Sequence, residues 1–232
     1  MNSSAPYSDA VYNDFLLRAA IGAVEHDLLS VCLSQNRIYA AHAYPRFIGS
    51  LIARIPFNPK HAIDSSDAKL NTQILNTLMF CLQNVVSQDA FLVKTAADSS
   101  LTLNKPERKG TRDLTAEMGR ITSNEFYEGV IFLWAIEKIF LDTWTFVSDL
   151  SNNNSVVTNS GSHIPLKYTH PVVTDLCKRW TSPACTRLVE DLANIVDSFG
   201  INPGSKEWIR AQEIWDRVVE LEAEFWPTDE DL

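Results

Sequence analysis

A glutamate in the most apolar stretch of the chain is the first residue whose type and position could do chemistry. Glu137 lies in the segment from Asn124 to Val147, NEFYEGVIFLWAIEKIFLDTWTFV, on one helical stripe with Trp134 and Trp144. A carboxylate in such a stripe must find a partner or keep its proton, because burying an unpaired charge is costly. Two interpretations stay open. Glu137 is either a core residue satisfied by an arginine or a backbone N–H of a neighbouring helix, or an acid that lines a pocket.

A second acid and a polar pair occupy similar positions on other predicted helices. Glu222 shares a face of the last helix with Trp215 and Phe225, and Asn36 precedes Tyr39 on an apolar stripe of the second helix. Buried amides and phenols normally find hydrogen-bond partners, so ordinary core roles for Asn36 and Tyr39 stay open. Polar groups on the apolar faces of three helices also predict a pocket between those helices.

The sequence WTSP marks a further position that could contribute to such a pocket. Ser182 is a good helix cap and Pro183 suits the first helical turn, so the preceding helix ends near Trp180. An indole at a helix end can form an aromatic wall, and the alternative is a tryptophan packed on its own helix. If Trp180 belongs to the core, Phe140 and Trp226 are the next candidates for the wall.

Composition excludes several classes of partner. The chain has 232 residues and a formal net charge of -9, without a long cluster of Lys and Arg, which argues against nucleic acid or an anionic membrane surface. No apolar run reaches the roughly 20 residues of a spanning helix, and no secretory signal pattern begins the chain. We therefore predict a cytoplasmic protein with one domain over residues 1–232, because 45% hydrophobic residues suffice for one substantial core.

The cysteines and histidines show no metal-ligand pattern. The cysteines are widely spaced and are interpreted as reduced core residues: Cys32, Cys81, Cys177 and Cys185. The histidines contain no pair with di-iron spacing and two of them lie in predicted loops: His26, His42, His61, His163 and His170. The sequence therefore predicts neither a metal nor another cofactor.

The elements that must position these residues are helices. Apolar residues recur at steps of three and four, no period of two occurs, and the chain is predicted to be all-α with about eight helices. A second helix is predicted from Val24 to Ile55 with a kink at Pro45, and two helical segments of purely structural role from Leu70 to Val93. Residues 1–7 are predicted to be a flexible lead-in and residues 151–167 a flexible loop.

Four stretches together, in this order and spacing, resemble the TenA/thiaminase II family, and the second is similar to the eukaryotic, cysteine-lacking branch. They are LSQNRIYAAHAYPRFIGSLIARI (33–55), FYEGVIFLWAIEKIFLDTW (126–144), RWTSP (179–183) and ELEAEFW (220–226). The resemblance implies a haem-oxygenase-like helical bundle and a homo-oligomer. It also implies a pocket for the aminopyrimidine part of thiamin, in which family members hydrolyse an aminomethyl or formylaminomethyl pyrimidine to salvage the vitamin.

The resemblance assigns roles to the two acids. Glu222 falls where the family has its pocket glutamate, which implies a general acid/base role. The nucleophilic cysteine of the classical branch is replaced by Ile136, directly followed by Glu137. The resemblance therefore implies a reaction without a covalent cysteine intermediate.

The resemblance also assigns binding residues, with departures. Tyr39 matches a family tyrosine, and Trp180 falls near the ring-stacking aromatic. Asn36 stands in place of an aspartate, while Phe140 and Leu114 stand in place of tyrosines. An amide can still hydrogen-bond an aminopyrimidine, but it carries no charge to hold a protonated ring.

Three functional hypotheses follow. The first is an aminopyrimidine hydrolase that converts an aminopyrimidine to hydroxymethylpyrimidine, with Glu222 as acid/base and Glu137 as its partner or as the carboxylate that orients water. If the two acids lie close together in one apolar site, their like charges raise the pKa of one of them. One acid then has a proton to donate, and the other is a carboxylate that can accept a proton. The second is a non-catalytic binding or interaction protein with a degenerate pocket. The third is an enzyme of the same fold repurposed for another small metabolite.

Overall fold

The chain folds into helices joined mostly by short turns, as the apolar periodicity predicts. The structure is a computed structural model that describes residues 6–152, 155–157, 163–165 and 169–232. Its α-helices are α1 (Tyr7–Val11), α2 (Asp14–Ala20), α3 (His26–Ile38), α4 (Tyr44–Ala53), α5 (Ser66–Asp98), α6 (Lys109–Ile121), α7 (Phe126–Asn152), α8 (Pro171–Trp180), α9 (Pro183–Ser198) and α10 (Lys206–Phe225). The described residues thus contain ten α-helices where about eight were predicted, and the all-α class is confirmed.

Helix α7 is the central element of the fold, as its sequence predicts. Its apolar residues point in nearly every direction, and Phe132 and Trp144 are fully buried. The helix packs against α1, α2, α8, α9 and α10, so few of its turns face solvent. Glu137, in the middle of α7, is consequently held inside the bundle rather than on its surface.

The predicted second helix is divided into three parts. Helix α3 ends at Ile38, a π-helical turn covers Tyr39–Ala43, and α4 begins at Tyr44. Pro45 has no N–H for the carbonyl group of the residue four positions earlier, and its ring crowds that carbonyl group. The helical turn contains one extra residue at this point, and the Tyr44 N–H donates to the carbonyl oxygen of Tyr39, five residues earlier. A simple kink at Pro45 was therefore the wrong prediction.

Helix α5 is one continuous element, whereas two separate segments were predicted within it. It spans 33 residues without Gly or Pro and therefore extends for about 50 Å. The Ser65 hydroxyl accepts a hydrogen bond from the Ala68 N–H and caps the first turn. Nothing in the sequence interrupts this helix, because no Gly or Pro occurs between its ends.

The last two helices begin at the serines that cap them. The Ser182 hydroxyl accepts from the Cys185 N–H at the start of α9, and the Ser205 hydroxyl accepts from the Trp208 N–H at the start of α10. The far end of α10 is held by Arg108, whose Nη1 donates to the Phe225 carbonyl oxygen at 2.7 Å. This hydrogen bond fixes the end of α10, the segment that contains Glu222.

Strands Ser155–Val157 (β1) and His163–Pro165 (β2) form an antiparallel pair within the region predicted to be a flexible loop. The rest of that predicted loop lies outside the described residues, except for its first two residues, which belong to α7. Of the predicted lead-in, residues 1–5 also lie outside the described part, and Tyr7 already begins α1. Among the described helices, none has both the length and the apolar character that a bilayer-spanning helix needs.

Candidate functional site

A small pocket lies between the π-helical turn, α5, α7, α9 and the end of α8. Its volume is about 40 Å³. Its lining combines hydroxyl, carboxylate, amide and thiol groups with aromatic and aliphatic walls: Tyr39, Tyr44, Cys81, Asn84, Val85, Gln88, Ile136, Glu137, Phe140, Trp180, Cys185 and Leu188. Four of the residues singled out from the sequence, Glu137, Tyr39, Phe140 and Trp180, line this pocket.

Glu137 is the acid at the pocket surface, and its partner is a tyrosine. The hydroxyl group of Tyr44, itself only 5% exposed, donates to Oε1 of Glu137 at 2.5 Å. Burial raises the pKa of Glu137, and the hydrogen bond from Tyr44 opposes that rise because it favours the carboxylate form. The predicted alternatives for its partner, an arginine or a backbone N–H, are both replaced by this phenol.

The π-helical turn explains how Tyr44 reaches Glu137. In an α-helix, residues five apart point in different directions, whereas the i to i+5 hydrogen bond of a π-turn places such residues nearly one above the other. The rings of Tyr39 and Tyr44 accordingly lie 5.5 Å apart, centroid to centroid, on the same side of the chain. One widened turn therefore supplies two phenols to the pocket.

Glu222 is more deeply buried than Glu137 and does not line the pocket. It is 1% exposed, and within the described residues its Oε2 has no hydrogen-bond partner. Burial, with a smaller contribution from the charge of Glu137, raises the pKa of Glu222 to about 8. The two acids therefore differ in their surroundings: burial favours the protonated form of Glu222, whereas the Tyr44 hydroxyl favours the carboxylate form of Glu137.

Tyr39 lines the pocket and is under the electrostatic influence of both acids. Burial is the largest cause of its raised pKa, followed by the charges of Glu137 and then Glu222. Its ring also meets Phe225 edge-on at 6.2 Å, which packs it against the helix that contains Glu222. The phenol of Tyr39 stays protonated and is available as a hydrogen-bond donor at the pocket.

An aromatic wall closes one side of the pocket. The rings of Phe140 and Trp180 meet edge-on at 5.1 Å. Trp226 stacks on the other side of Phe140 at 5.7 Å, and its Nε1 donates to the Ala10 carbonyl oxygen at 3.2 Å. Trp226, predicted as a binding residue, therefore lies behind the wall and does not line the pocket.

Trp180 is held by its neighbour in the chain. The guanidinium group of Arg179 lies 5.4 Å from the Trp180 ring centroid and 4.8 Å from that of Phe91. Arg179 also donates to the Ser87 hydroxyl at 2.9 Å, which ties the end of α8 to α5. The indole Nε1 of Trp180 is buried and has no partner within the described residues.

Two residues singled out from the sequence lie elsewhere. The Nδ2 of Asn36 donates to the Cys32 carbonyl oxygen at 3.0 Å inside α3, and Asn36 does not line the pocket. Leu114 is a core residue that is 1% exposed. Ile136, which the family resemblance aligns with the nucleophilic cysteine of the classical branch, lines the pocket.

Sequence reasoning missed the contribution of α5 and α9. Cys81, Asn84 and Gln88 follow one another at steps of three and four along α5 and all line the pocket, so the prediction that this segment is purely structural was wrong. Cys185, at the start of α9, also lines it. The polar residues Asn84 and Gln88 on the face that contains Cys81 were the available signal. Burial raises the pKa of the Cys81 and Cys185 thiols, so neither is a ready nucleophile.

A larger open groove of about 840 Å³ lies between α7, α9 and α10. Trp134 and Trp215 line it, but their rings pack against each other at 5.4 Å, and neither Glu137 nor Glu222 faces it. The smaller pocket is therefore the better candidate for chemistry. In the part of the chain that the structure describes, no group of three His, Cys, Asp or Glu side chains is placed to hold a metal ion.

The architecture is an all-α bundle with one glutamate at a pocket and one in the core, and comparison with solved structures identifies its fold. No protein-family model and no curated protein matches the chain. A TenA homologue from Pyrococcus furiosus superposes with a TM-score of 0.75 at 18% identity, covering 95% of this chain and 92% of that chain. A TenA homologue from P. horikoshii has a TM-score of 0.70 at 15% identity, covering 95% and 90%.

A third solved structure supports the same assignment. A TenA homologue from Pseudomonas syringae has a TM-score of 0.70 at 10% identity, covering 95% of this chain and 86% of that chain. The resemblance to TenA proteins is thereby confirmed at the level of the fold. The chain has the TenA fold over nearly its whole length.

Proposed function

We propose that the protein binds a small flat nitrogen heterocycle at Glu137 and hydrolyses an aminopyrimidine there. The observation that carries this proposal is the unequal pair of acids: Glu137 accepts a hydrogen bond from Tyr44 at the pocket surface, while buried Glu222 has its pKa raised to about 8. One carboxylate and one carboxylic acid near each other at neutral pH are what general base and general acid catalysis need. In this proposal the protein serves thiamin salvage in the cytoplasm, as a homo-oligomer of the cysteine-lacking TenA branch.

The reaction would be a direct displacement by water. A bond forms between the water oxygen and the methylene carbon of an aminomethyl pyrimidine, the carbon–nitrogen bond breaks, and the amine leaves. The Glu137 carboxylate orients the water and accepts its proton. Glu222, which does not line the pocket in its present form, would supply the proton that the leaving amine requires once the pocket opens toward it. Tyr39, at the pocket surface and under the electrostatic influence of both acids, is placed to hydrogen-bond the ring.

Binding requires the pocket to open. Its volume of about 40 Å³ is far below that of typical small-ligand pockets, about 300–1,000 Å³. The wall residue at a helix end is Trp180, because α8 stops there and α9 begins three residues later at Pro183. We propose that the indole of Trp180 moves aside and then stacks on the bound ring.

The test is turnover of aminomethyl and formylaminomethyl pyrimidine by the purified protein and its variants. We expect hydroxymethylpyrimidine as the product, and a fall in kcat of about 100-fold or more in both Glu137→Gln and Glu222→Gln, in line with typical general acid and base contributions. Glu190→Gln, which changes an exposed glutamate of α9, is the matched control and should retain full activity. Absence of turnover by the unmutated protein, or equal turnover by all four proteins, would refute the hydrolase proposal.

A second candidate function is ligand binding without catalysis. Three features favour it: Asn36 is hydrogen-bonded to Cys32 within its own helix, Phe140 has no hydroxyl group, and the pocket has a volume of only about 40 Å³. A protein of this kind would gain thermal stability with a pyrimidine ligand but release no product, since binding to the folded state alone stabilises it. Trp180→Ala should then weaken the binding of a flat ligand by about 1 kcal/mol. Unchanged affinity in the folded variant would show that Trp180 contributes only to the core.

A further inference from the structure

A separate cleft lies on the outer side of the π-helical turn, between that turn, α4 and α6. It has a volume of about 420 Å³. Its polar lining residues are His42, Arg46, Ser50, Glu107, Arg112, Thr115 and Thr122. None of them lines the pocket at Glu137, so the cleft is independent of the proposed hydrolase site.

The arginines of this cleft differ from most others in the protein. The chain contains eleven arginines. Eight of them make ion pairs or donate hydrogen bonds to carbonyl or hydroxyl oxygens: Arg18, Arg37, Arg54, Arg108, Arg120, Arg179, Arg210 and Arg217. Within the described residues, Arg46, Arg112 and Arg187 make no such contact. Two of these three arginines line the same cleft.

This arrangement is unusual for an acidic protein. With 29 acidic and 20 basic residues, carboxylates are in excess, yet within the described residues neither Arg46 of α4 nor Arg112 of α6 makes an ion pair, and both line one cleft. Glu107 is the one carboxylate among the lining residues and lies beyond ion-pair distance of both guanidinium groups. Two guanidinium groups that line one cleft repel each other, and an anion bound between them would relieve that repulsion and satisfy their N–H donors.

We propose that this cleft binds the phosphate group of a small phosphorylated molecule. Arg46 and Arg112 would each donate to phosphate oxygens, because the planar guanidinium group matches phosphate geometry. The hydroxyl group of Ser50 and the exposed ring of His42 add further donors on the same side. The Thr115 hydroxyl already donates to the Arg112 carbonyl oxygen, which leaves it only an acceptor role.

The size and charge of the surroundings select the ligand class. A volume of about 420 Å³ lies within the range of pockets that hold small ligands, about 300–1,000 Å³. A nucleic-acid backbone needs an extended basic surface, and this protein has a net charge of -9 with only two arginines at this site. A discrete phosphate monoester therefore fits the cleft, and a polyanion does not.

The experiment measures binding of inorganic phosphate by isothermal titration calorimetry in a phosphate-free buffer at low ionic strength. The unmutated protein should show saturable binding, and Arg46→Gln and Arg112→Gln should each reduce the affinity by about tenfold or more, since each removes a charge-assisted contact. Arg187→Gln is the matched control, because it removes another exposed, unpaired arginine that lies outside the cleft. Its affinity for phosphate should be unchanged.

Three results would overturn the proposal. They are absence of saturable phosphate binding, an equal loss of affinity in Arg187→Gln, and equal affinity for acetate, which would indicate a carboxylate site. Circular dichroism of each variant establishes that the fold is retained, so a loss of binding can be assigned to the cleft. The hydrolase assay is independent of these outcomes, because the two sites share no lining residue.

Discussion

Replacing Glu222 with glutamine should change how the stability of the protein depends on pH. Glu222 is 1% exposed, and its pKa is raised from 4.5 to about 8, chiefly by burial. In the unfolded chain the same carboxyl group loses its proton above about pH 4.5. The folded state therefore binds the proton more tightly, and the unmutated protein loses stability as the pH rises from about 4.5 to 8.

The size of this effect follows from the pKa difference. One pKa unit corresponds to about 1.4 kcal/mol, so a rise from 4.5 to about 8 amounts to about 5 kcal/mol at and above pH 8. Glutamine has nearly the shape of a protonated glutamate and does not titrate. At pH 5 the free energies of unfolding of Glu222→Gln and the unmutated protein should therefore be similar. At pH 8.5 the variant should be several kcal/mol more stable. It has no carboxylate at position 222, so the repulsion between that carboxylate and Glu137 is absent as well.

Urea unfolding at a series of pH values from 5 to 9 measures this difference directly. Glu190→Gln, at an exposed position of α9, is the control for the loss of a carboxylate as such, and its stability curve should follow that of the unmutated protein. The reasoning is refuted if the curve of Glu222→Gln also runs parallel to that of the unmutated protein. Glu222 would then be ionised in the folded state at neutral pH, and the proposal that it donates a proton would be refuted as well.

Three further substitutions test one hydrogen bond of the site and the packing of α6 against α10. Tyr44→Phe removes the hydrogen bond to Glu137, so the pKa of Glu137 should rise further. The free energy of unfolding should fall by about 1–3 kcal/mol at pH 9 and by less at pH 5. Equal losses of stability at both pH values would contradict this. Gly110→Ala would place a Cβ atom 2.1 Å from the Glu224 carbonyl oxygen, and it should lower the free energy of unfolding by about 1–3 kcal/mol. Gly119→Ala, in the same helix with nothing within 4 Å, should instead stabilise by about 0.5–1 kcal/mol, and equal effects of the two would refute the close approach of α6 and α10.

The features that sequence predicted well are those decided by local chemistry. Helix α7 was predictable because its apolar residues leave few polar ones to face solvent, and α9 and α10 were predictable from Ser182 and Ser205, which cap them. The two acids could be singled out because each interrupts an aromatic stripe. The resemblance of four short stretches then gave the fold, which the solved TenA structures confirm.

The response of the backbone to Pro45 was the least predictable feature. A proline inside a helical pattern indicates a break or a kink, and the sequence does not say whether the chain bends or widens by one residue. Widening placed Tyr44 on the pocket side with Tyr39, whereas a regular helix would have turned it away. Helix periodicity applied across residues 39–43 therefore fails to place Tyr44 on the same face as Tyr39.

The chemical inequality of the two acids depends on that same turn. Glu137 and Glu222 occur in similar sequence surroundings, each among aromatic residues on a helix, and periodicity alone gives no reason to assign the proton to either. The structure distinguishes them because the Tyr44 hydroxyl donates to Glu137, whereas Oε2 of Glu222 has no partner within the described residues. The assignment of acid and base roles therefore rests on a backbone irregularity in a third helical segment. Pro45→Ala, which allows a regular α-helix at this point, should therefore change the pKa of Glu137 by moving the Tyr44 hydroxyl. It should also change the pKa of Glu222, which depends in part on the charge of Glu137.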